Sequence, residues 1–311
     1  MTGGIGFVDG VTTRYLPGMT DAGVTGAIAA KQRALAVWLE QTGSLLVAFS
    51  GGVDSALLAV AATDALGASR VLAVLGVSAS VPAAVHVRAR RLADDFGVAL
   101  REVETHELDD ADYVANRGNR CFFCKQELWR RLTPIARAEG LAVIADGAIA
   151  DDARDHRPGR AAGVAAHISS PLAACGFTKA DVRAAARARG IPIWNAPASP
   201  CLASRIAVGV DVSADRLASI DRAESALRAL GITGDLRVRD LGDAARVELP
   251  PESVHEWLGA TQRARVARSV RAAGFARVLL DVQGYRRGAL QDASPAAVID
   301  ITSDTPTGSA A

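Results

Sequence analysis

Ser50-Gly51-Gly52-Val53-Asp54-Ser55 stands between an apolar run, Leu45-Leu46-Val47-Ala48-Phe49, and a helix-like stretch from Ala56 to Leu66. A short apolar run that ends in paired glycines and passes straight into a helical pattern reads as a buried strand handing over to a helix. The handover recurs along the chain. Val71 to Leu75 and Val98 to Val103 read as strands, with a helix from about Pro82 to Phe96 between them, and Leu141 to Ala145 follows a helical stretch from Lys125 to Ala138. Such alternation predicts an α/β fold, a parallel sheet with helices on both faces, whose ligands lie beyond the carboxyl ends of the strands. By that rule Ser50 to Ser55, Ser78 and Asp146-Gly147, each following a strand end, surround one crevice.

The turn itself suits an anion. Glycines let the backbone approach a ligand closely, and free N–H groups at a helix start, backed by the positive end of its dipole, favour phosphate. The spacing differs from a Walker loop, which needs a Lys directly after its second conserved Gly. A chance turn rich in small residues is the plain alternative.

At 311 residues, with half of them apolar, the chain has room for two domains. Residues 1–24 are rich in Gly and Thr without a sustained period and read as a mobile leader. Residues 25–208 carry the strand-helix alternation. Residues 209–291 read as a smaller α+β unit: a helix from about Ala214 to Leu230, half-exposed antiparallel strands Asp235 to Asp240 and Ala244 to Leu249, a helix near 262–273 and a strand Arg277 to Val282. Residues 292–311 read as a frayed tail. Between Asp146 and Gly163 the sequence DGAIADDARDHRPGRAAG reads as a loop.

The net charge of +1 suggests no broad nucleic-acid footprint, and no nucleic-acid partner is expected. No apolar run approaches the roughly 20 residues needed to cross a bilayer, and no basic segment precedes an apolar stretch at the N-terminus. No membrane partner is expected, and the cytoplasm is the expected location. Basic residues are nearly all Arg; the lysines are Lys31, Lys125 and Lys179. Lys125 follows a cysteine pair and Lys179 precedes a helix, so both are candidates to serve a phosphate or adenylate as compact point charges.

Cys121-Phe122-Phe123-Cys124, Cys175 and Cys201 make four cysteines in a chain with no export signal, where structural disulfides are unexpected. One C-x-x-C supplies half a zinc site, half an iron-sulfur site or a redox pair. Alone it does not choose. Cys175 lies in an apolar stretch and reads as a core residue. Cys201 follows Pro200 and precedes Arg205, whose charge favours a thiolate; such a thiolate can be a nucleophile, a metal ligand or a sulfur donor.

SGGVDS resembles the SGGxDS signature of the PP-loop ATP pyrophosphatases. Together with DHRPG, the FTKADVR around Lys179, SPCLASRI, VRVRD, ARVELP and LDVQGYRRG, the chain from about Leu35 to Arg287 resembles the LarE family of ATP-dependent sulfur transferases, which help build the nickel-pincer nucleotide of lactate racemase. The resemblance implies that ATP adenylates a carboxylate of pyridinium-3,5-biscarboxylic acid mononucleotide, a small-molecule nucleotide substrate, before sulfur attacks. It implies ATP phosphates held by Ser50, Gly51, Gly52, Asp54 and Ser55, with Asp54 helping to bind Mg2+. Asp146, Gly147, Arg157 and Lys179 would lie near the adenylate. Ser204, Arg205 and Glu224 would serve the sulfur step beside Cys201, with Lys125 nearby. Arg237, Arg239 and Arg286 would grip the substrate phosphate at subunit contacts of a homohexamer, and Glu248 is a further candidate. Some members sacrifice the sulfur of a single cysteine, the position of Cys201; others use three, the pattern of Cys121, Cys124 and Cys201, to hold a 4Fe-4S cluster that passes on sulfide from a donor. The expectation here is the cluster, with Cys201 intact after reaction.

Other readings are a PP-loop tRNA thiolase, which needs an RNA-binding surface, an ammonia-dependent synthetase, in which the cysteines are incidental, and a nucleotide-binding regulator without turnover.

Overall fold

The computed structural model describes residues 5–8, 11–14, 26–154, 158–197, 200–286 and 297–303. Ile5–Val8 (β1) and Val11–Arg14 (β2) pair as antiparallel strands within the stretch read as a leader. The main sheet holds β3 (Leu45–Ala48), β4 (Val71–Val77), β5 (Leu100–Glu104) and β6 (Val143–Ala145), all parallel, in the order β5-β4-β3-β6. All of β3 is buried, which is why its sequence is continuously apolar rather than alternating. Leu45 and Val47 pack on one face with α1 (Gly26–Thr42), α2 (Val53–Leu66) and α3 (Ala83–Asp95). Leu46 and Ala48 pack on the other, against residues of the helix Arg120–Ala138 and of a shorter helix that follows β6. The α/β fold expected from the alternation is the one observed.

Between β5 and β6 come α4 (Ala111–Val114) and α5 (Arg120–Ala138), so the C-x-x-C pair lies inside a helix. The segment 146–163, read as a loop, instead contains a 3-10 turn, Ala150–Arg154, and the helix α6 (Pro158–Ala165). Proline is well tolerated at a first helical position. A Cβ on Gly159 would lie 3.1 Å from the Cys121 carbonyl oxygen, so glycine lets α6 close onto α5. Its packing face is built from Gly and Ala, and apolar periodicity is a weak guide there. The short helix α7 (Pro171–Ala174) and α8 (Lys179–Ala188) follow.

Beyond α9 (Ala214–Ala229), a second sheet runs β10-β9-β8-β7, from β7 (Arg237–Asp240), β8 (Ala245–Glu248), β9 (Val278–Asp281) and β10 (Val298–Asp300), with α10 (Ala260–Ala272) between β8 and β9. Val238, Val247, Val270 and Leu280 help form its own core. Two expectations are corrected here. β7 and β8 are buried rather than half-exposed, because their charges pair with one another; and Val298–Asp300 is a strand against β9, within the stretch read as a frayed tail. The two sheets are tied through the segment after Cys201: Ile206 bridges Asp240, Ala207 N donates to the Asp240 carbonyl at 2.9 Å, and Arg216 donates to both Asp240 carboxylate oxygens.

Candidate active site

The glycine turn joins β3 to α2. Gly51 has φ +67°, and a Cβ there would lie 3.3 Å from Ala89 Cβ and from Val85 Cγ1, so both conformation and space call for glycine. Ser55 Oγ donates to the Gly52 carbonyl and accepts from Ser50 N, each at 3.1 Å, which closes the turn on itself. The first helical bond runs from Ala56 N to the Gly52 carbonyl. The N–H groups of Val53, Asp54 and Ser55 precede it and lack helical acceptors, the arrangement that receives an anion.

Gly147, just past β6, closes this cradle. A Cβ there would lie 2.7 Å from Ser55 N and 3.0 Å from Ser55 Cα, so its backbone rests directly on the first turn of α2. Asp146 is oriented by Ser170, whose hydroxyl donates to Oδ1 at 2.7 Å, and by Ala148 N. Lys179 arrives from the start of α8, where Thr178 and Asp181 form a capping box and Lys31 anchors Asp181 at 2.6 Å. Its ammonium donates to Asp54 Oδ1 and Oδ2 at 2.8 and 2.7 Å. The residues named for magnesium and for the adenylate are thus held against each other. Arg157 lies outside the described residues.

Cys201 sits in a turn beyond the carboxyl ends of the same sheet. Leu202 N donates to the Ser80 carbonyl at 2.8 Å, which seats the turn beyond the end of β4, the neighbour of β3. Arg205, 2% exposed, donates through Nη1 to the carbonyls of Pro200 and Cys201 and to Ser204 Oγ, while Ser204 Oγ donates to the Cys201 carbonyl at 2.7 Å. Glu224 receives Nε and Nη2 of Arg205 at 3.0 and 3.1 Å and also the N–H of Val238. A buried fork-to-carboxylate pair therefore fixes the backbone that carries the thiol.

Cys124 and Cys201 pack against one cluster with Tyr113 and Leu202, and Cys121 lies one helical turn before Cys124 on α5. Burial above all, followed by the charges of Cys201 and Glu107, pushes the Cys124 thiol up to about 12. Cys121 is exposed as a residue, yet desolvation raises its thiol as well. Lys125 opposes both shifts; its ammonium lies over the Trp129 ring, 4.9 Å from the centroid. Lys125 thus belongs with the thiols. Cys175 packs against the main core, as expected of a structural thiol. Among the described residues no group of three or more His, Cys, Asp or Glu side chains is spaced to hold a single metal ion.

In the second sheet Arg237 and Arg239 share one face of β7, and their guanidiniums lie 4.9 and 6.0 Å from the Tyr285 ring centroid. Arg239 Nε donates to Glu248 at 3.0 Å and its Nη1 reaches the Ser204 carbonyl at 3.2 Å; Glu248, fully buried, also receives Arg246. Arg286 pairs with the buried Asp281 at 3.5 Å. Two of the three arginines named from the sequence, Arg237 and Arg239, lie over Tyr285, and Arg239 touches the Cys201 turn. Sequence reasoning missed Glu107, Ser80 and Tyr113, which line the thiol side. Glu107 opens the acidic run ELDDAD, which reads as a solvated surface.

A parallel α/β sheet with an SGGVDS turn at the carboxyl end of its first strand defines a PP-loop nucleotide-binding protein, and the NAD synthase family matches residues 33–123. The chain is 40% identical over 245 residues to an uncharacterized protein of Synechocystis sp., covering 79% of this chain and 91% of that one. It is 35% identical over 265 residues to the pyridinium-3,5-bisthiocarboxylic acid mononucleotide synthase of Lactiplantibacillus plantarum, covering 85% of this chain and 95% of the synthase. An uncharacterized protein of Methanocaldococcus jannaschii is 24% identical over 242 residues, 78% of this chain and 90% of the other. The chain belongs to the LarE family, that of the L. plantarum synthase. No described helix is long and apolar enough to cross a membrane.

Proposed function

We propose that this chain is an ATP-dependent sulfur transferase that activates a carboxylate of pyridinium-3,5-biscarboxylic acid mononucleotide as its adenylate, then replaces the activated oxygen with sulfur for a nickel-pincer cofactor. The observation that carries the reading is the bond from Leu202 N to the Ser80 carbonyl, which seats the Cys201 turn beyond β4, beside the strand that ends in the phosphate cradle. The L. plantarum synthase, named for a bisthiocarboxylic acid mononucleotide, supports the same substrate class.

In this reading the N–H groups of Val53 to Ser55, with Ser50, Gly51, Gly52 and Gly147 shaping the cradle, hold the phosphates. Asp54 would hold Mg2+, which would neutralise phosphate charge, and Lys179, with Arg157, offsets charge on the phosphates as pyrophosphate leaves. Asp146 lies against the adenylate. AMP is then the leaving group: sulfur attacks the activated carbonyl carbon, and the bond to the AMP oxygen breaks with its electron pair. Arg205, Ser204 and Glu224 hold the sulfur-bearing backbone still, and Lys125 lowers the cost of thiolate. Cys121, Cys124 and Cys201 are the three soft donors that would hold a 4Fe-4S cluster, with Cys124 and Cys201 packed on one apolar cluster and Cys121 one helical turn away, and the group would supply an exchangeable sulfide. The alternative donor is Cys201 itself. Residues 209–291 form the substrate-binding and assembly unit of a homohexamer, with Arg237, Arg239 and Arg286 gripping the nucleotide phosphate.

Pyrophosphate release tests the reading. Mg-ATP with the bis-acid mononucleotide should release AMP and pyrophosphate, and tRNA should not substitute. Turnover driven by tRNA alone would replace this reading with the thiolase one. Intact mass after anaerobic turnover separates the sulfur routes, since the sacrificial one removes the elements of hydrogen sulfide from Cys201.

A further inference from the structure

Glu107 is a buried charge that the chemistry above does not use. It opens the 3-10 turn Glu107–Asp109 after β5 and is 2% exposed. Oε1 accepts a hydrogen bond from Ser78 Oγ at 2.6 Å; Oε2 is buried and has no hydrogen-bond partner among the described residues. The contrast with the other buried carboxylates is plain. Glu127 pairs with Arg130 and Arg131, Glu224 with Arg205, Asp240 with Arg216, Glu248 with Arg239 and Arg246, and Asp281 with Arg286. Among the described residues no such cation faces Glu107. An unpaired buried carboxylate is costly, and its presence at a functional site points to a cation that arrives with the ligand.

The location narrows the ligand. The Glu107 turn packs against α4 and α5, the helices of Tyr113 and of Cys121 and Cys124. Ser80 N donates to Ser78 Oγ at 3.2 Å, Ser80 Oγ is bonded to Tyr113 Oη at 2.6 Å, and the Ser80 carbonyl holds Leu202 beside Cys201. Leu108, Phe123, Cys124 and Cys201 pack against the apolar cluster that holds Tyr113, Leu202 and Ala203. The carboxylate thus lies behind an apolar, aromatic wall that faces the thiols. Its charge reaches Cys124, which supports this placement. A metal ion is a poor match, because among the described residues Glu107 belongs to no group of three or more His, Cys, Asp or Glu side chains that could hold one. A flat aromatic ring with a fixed positive charge meets both the wall and the field.

We propose that Glu107 is the buried counter-charge for a pyridinium ring seated at the thiols, a specificity residue that selects a cationic over a neutral aromatic ring. The inference rests on the functional reading above and names the charge by which the site recognises its substrate class. Ser78 aims the carboxylate, and the low-dielectric surroundings strengthen its attraction for the ring.

The test uses the whole chain and two probes: nicotinic acid mononucleotide, a pyridinium carboxylate, and its neutral dihydropyridine form, each titrated by calorimetry. The wild-type chain should bind the charged ring more tightly. Glu107→Gln keeps the size and an acceptor for Ser78; it should weaken binding of the charged ring by about tenfold or more and leave the reduced form and ATP affinity unchanged. Glu107→Asp, which keeps the charge, should retain the preference. Equal weakening of both forms in Glu107→Gln, or no weakening of either, would overturn the proposal while leaving the sulfur-transfer reading intact. A wild-type chain that binds neither form, yet releases pyrophosphate with another carboxylate, would overturn that reading and the inference with it.

Discussion

Gly147→Ala is the smallest change that tests how the cradle is built. The new methyl carbon would stand 2.7 Å from Ser55 N and 3.0 Å from Ser55 Cα, where ordinary contact begins at 3.4 Å. The shortfall from 2.7 to 3.4 Å, about 0.7 Å, must be taken up by backbone on both sides, because both contacts are main-chain atoms. Overpacking of that kind costs about 1–3 kcal/mol. The same methyl covers the Ser55 N–H, and losing one hydrogen bond to a charged phosphate costs about 1.5–3 kcal/mol of binding. ATP affinity should therefore fall roughly 10- to 100-fold, at about 1.4 kcal/mol per factor of ten. Calorimetric titration of Mg-ATP reads the affinity, and a thermal melt reads the lost stability. A Gly147→Ala chain with wild-type ATP affinity and an unchanged Tm would refute the claim that this contact shapes a phosphate site.

Glu224→Ala leaves the buried Arg205 without its carboxylate, so stability should drop by about 3–5 kcal/mol, measured by urea unfolding; Glu224→Gln should lose less, because its amide oxygen still accepts one of the Arg205 bonds. Lys179→Met frees Asp54 and removes a phosphate partner, so pyrophosphate release should fall while Mg2+ binding in the absence of nucleotide strengthens, as read by calorimetry. Cys124 is held protonated by burial first and by neighbouring charges second, so its alkylation in the metal-free chain should stay slow through neutral pH and rise only towards about 12. The sign follows from the raised value: the thiol's protonated form contributes stability below the range of an unfolded cysteine and that contribution is lost as pH rises through the folded value. Mass spectrometry of the labelled peptide across pH checks it, and Lys125→Met should slow labelling further.

Much of the nucleotide side was legible in the residues themselves. A continuous apolar run, a glycine pair and a helix start leave few alternatives, and the structure places Gly147 on Ser55 as the strand-end rule requires. The helix Pro158–Ala165 was hidden because it packs through Gly and Ala, which carry little hydrophobic signal. The burial of Arg237, Arg239 and Glu248 was hidden for a different reason. Alternating charges look the same on an exposed strand as on one whose charges pair across to a neighbour, and only the register of β7 against β8 distinguishes them. Glu107 was invisible because its meaning lies in a missing partner, which only packing reveals.

The central claim is that ATP activation and sulfur delivery occur in one site, and Cys201→Ser tests it most directly. Each form, reconstituted anaerobically with iron and excess sulfide, is incubated with Mg-ATP and the bis-acid mononucleotide, and pyrophosphate, AMP and thiocarboxylate are measured in the same tube. The wild-type chain should form AMP, pyrophosphate and thiocarboxylate, and Cys201→Ser should release pyrophosphate and form the acyl adenylate but no thiolated product. Thiolated product from Cys201→Ser at the wild-type rate, or AMP without sulfur transfer from the wild type, would contradict the account.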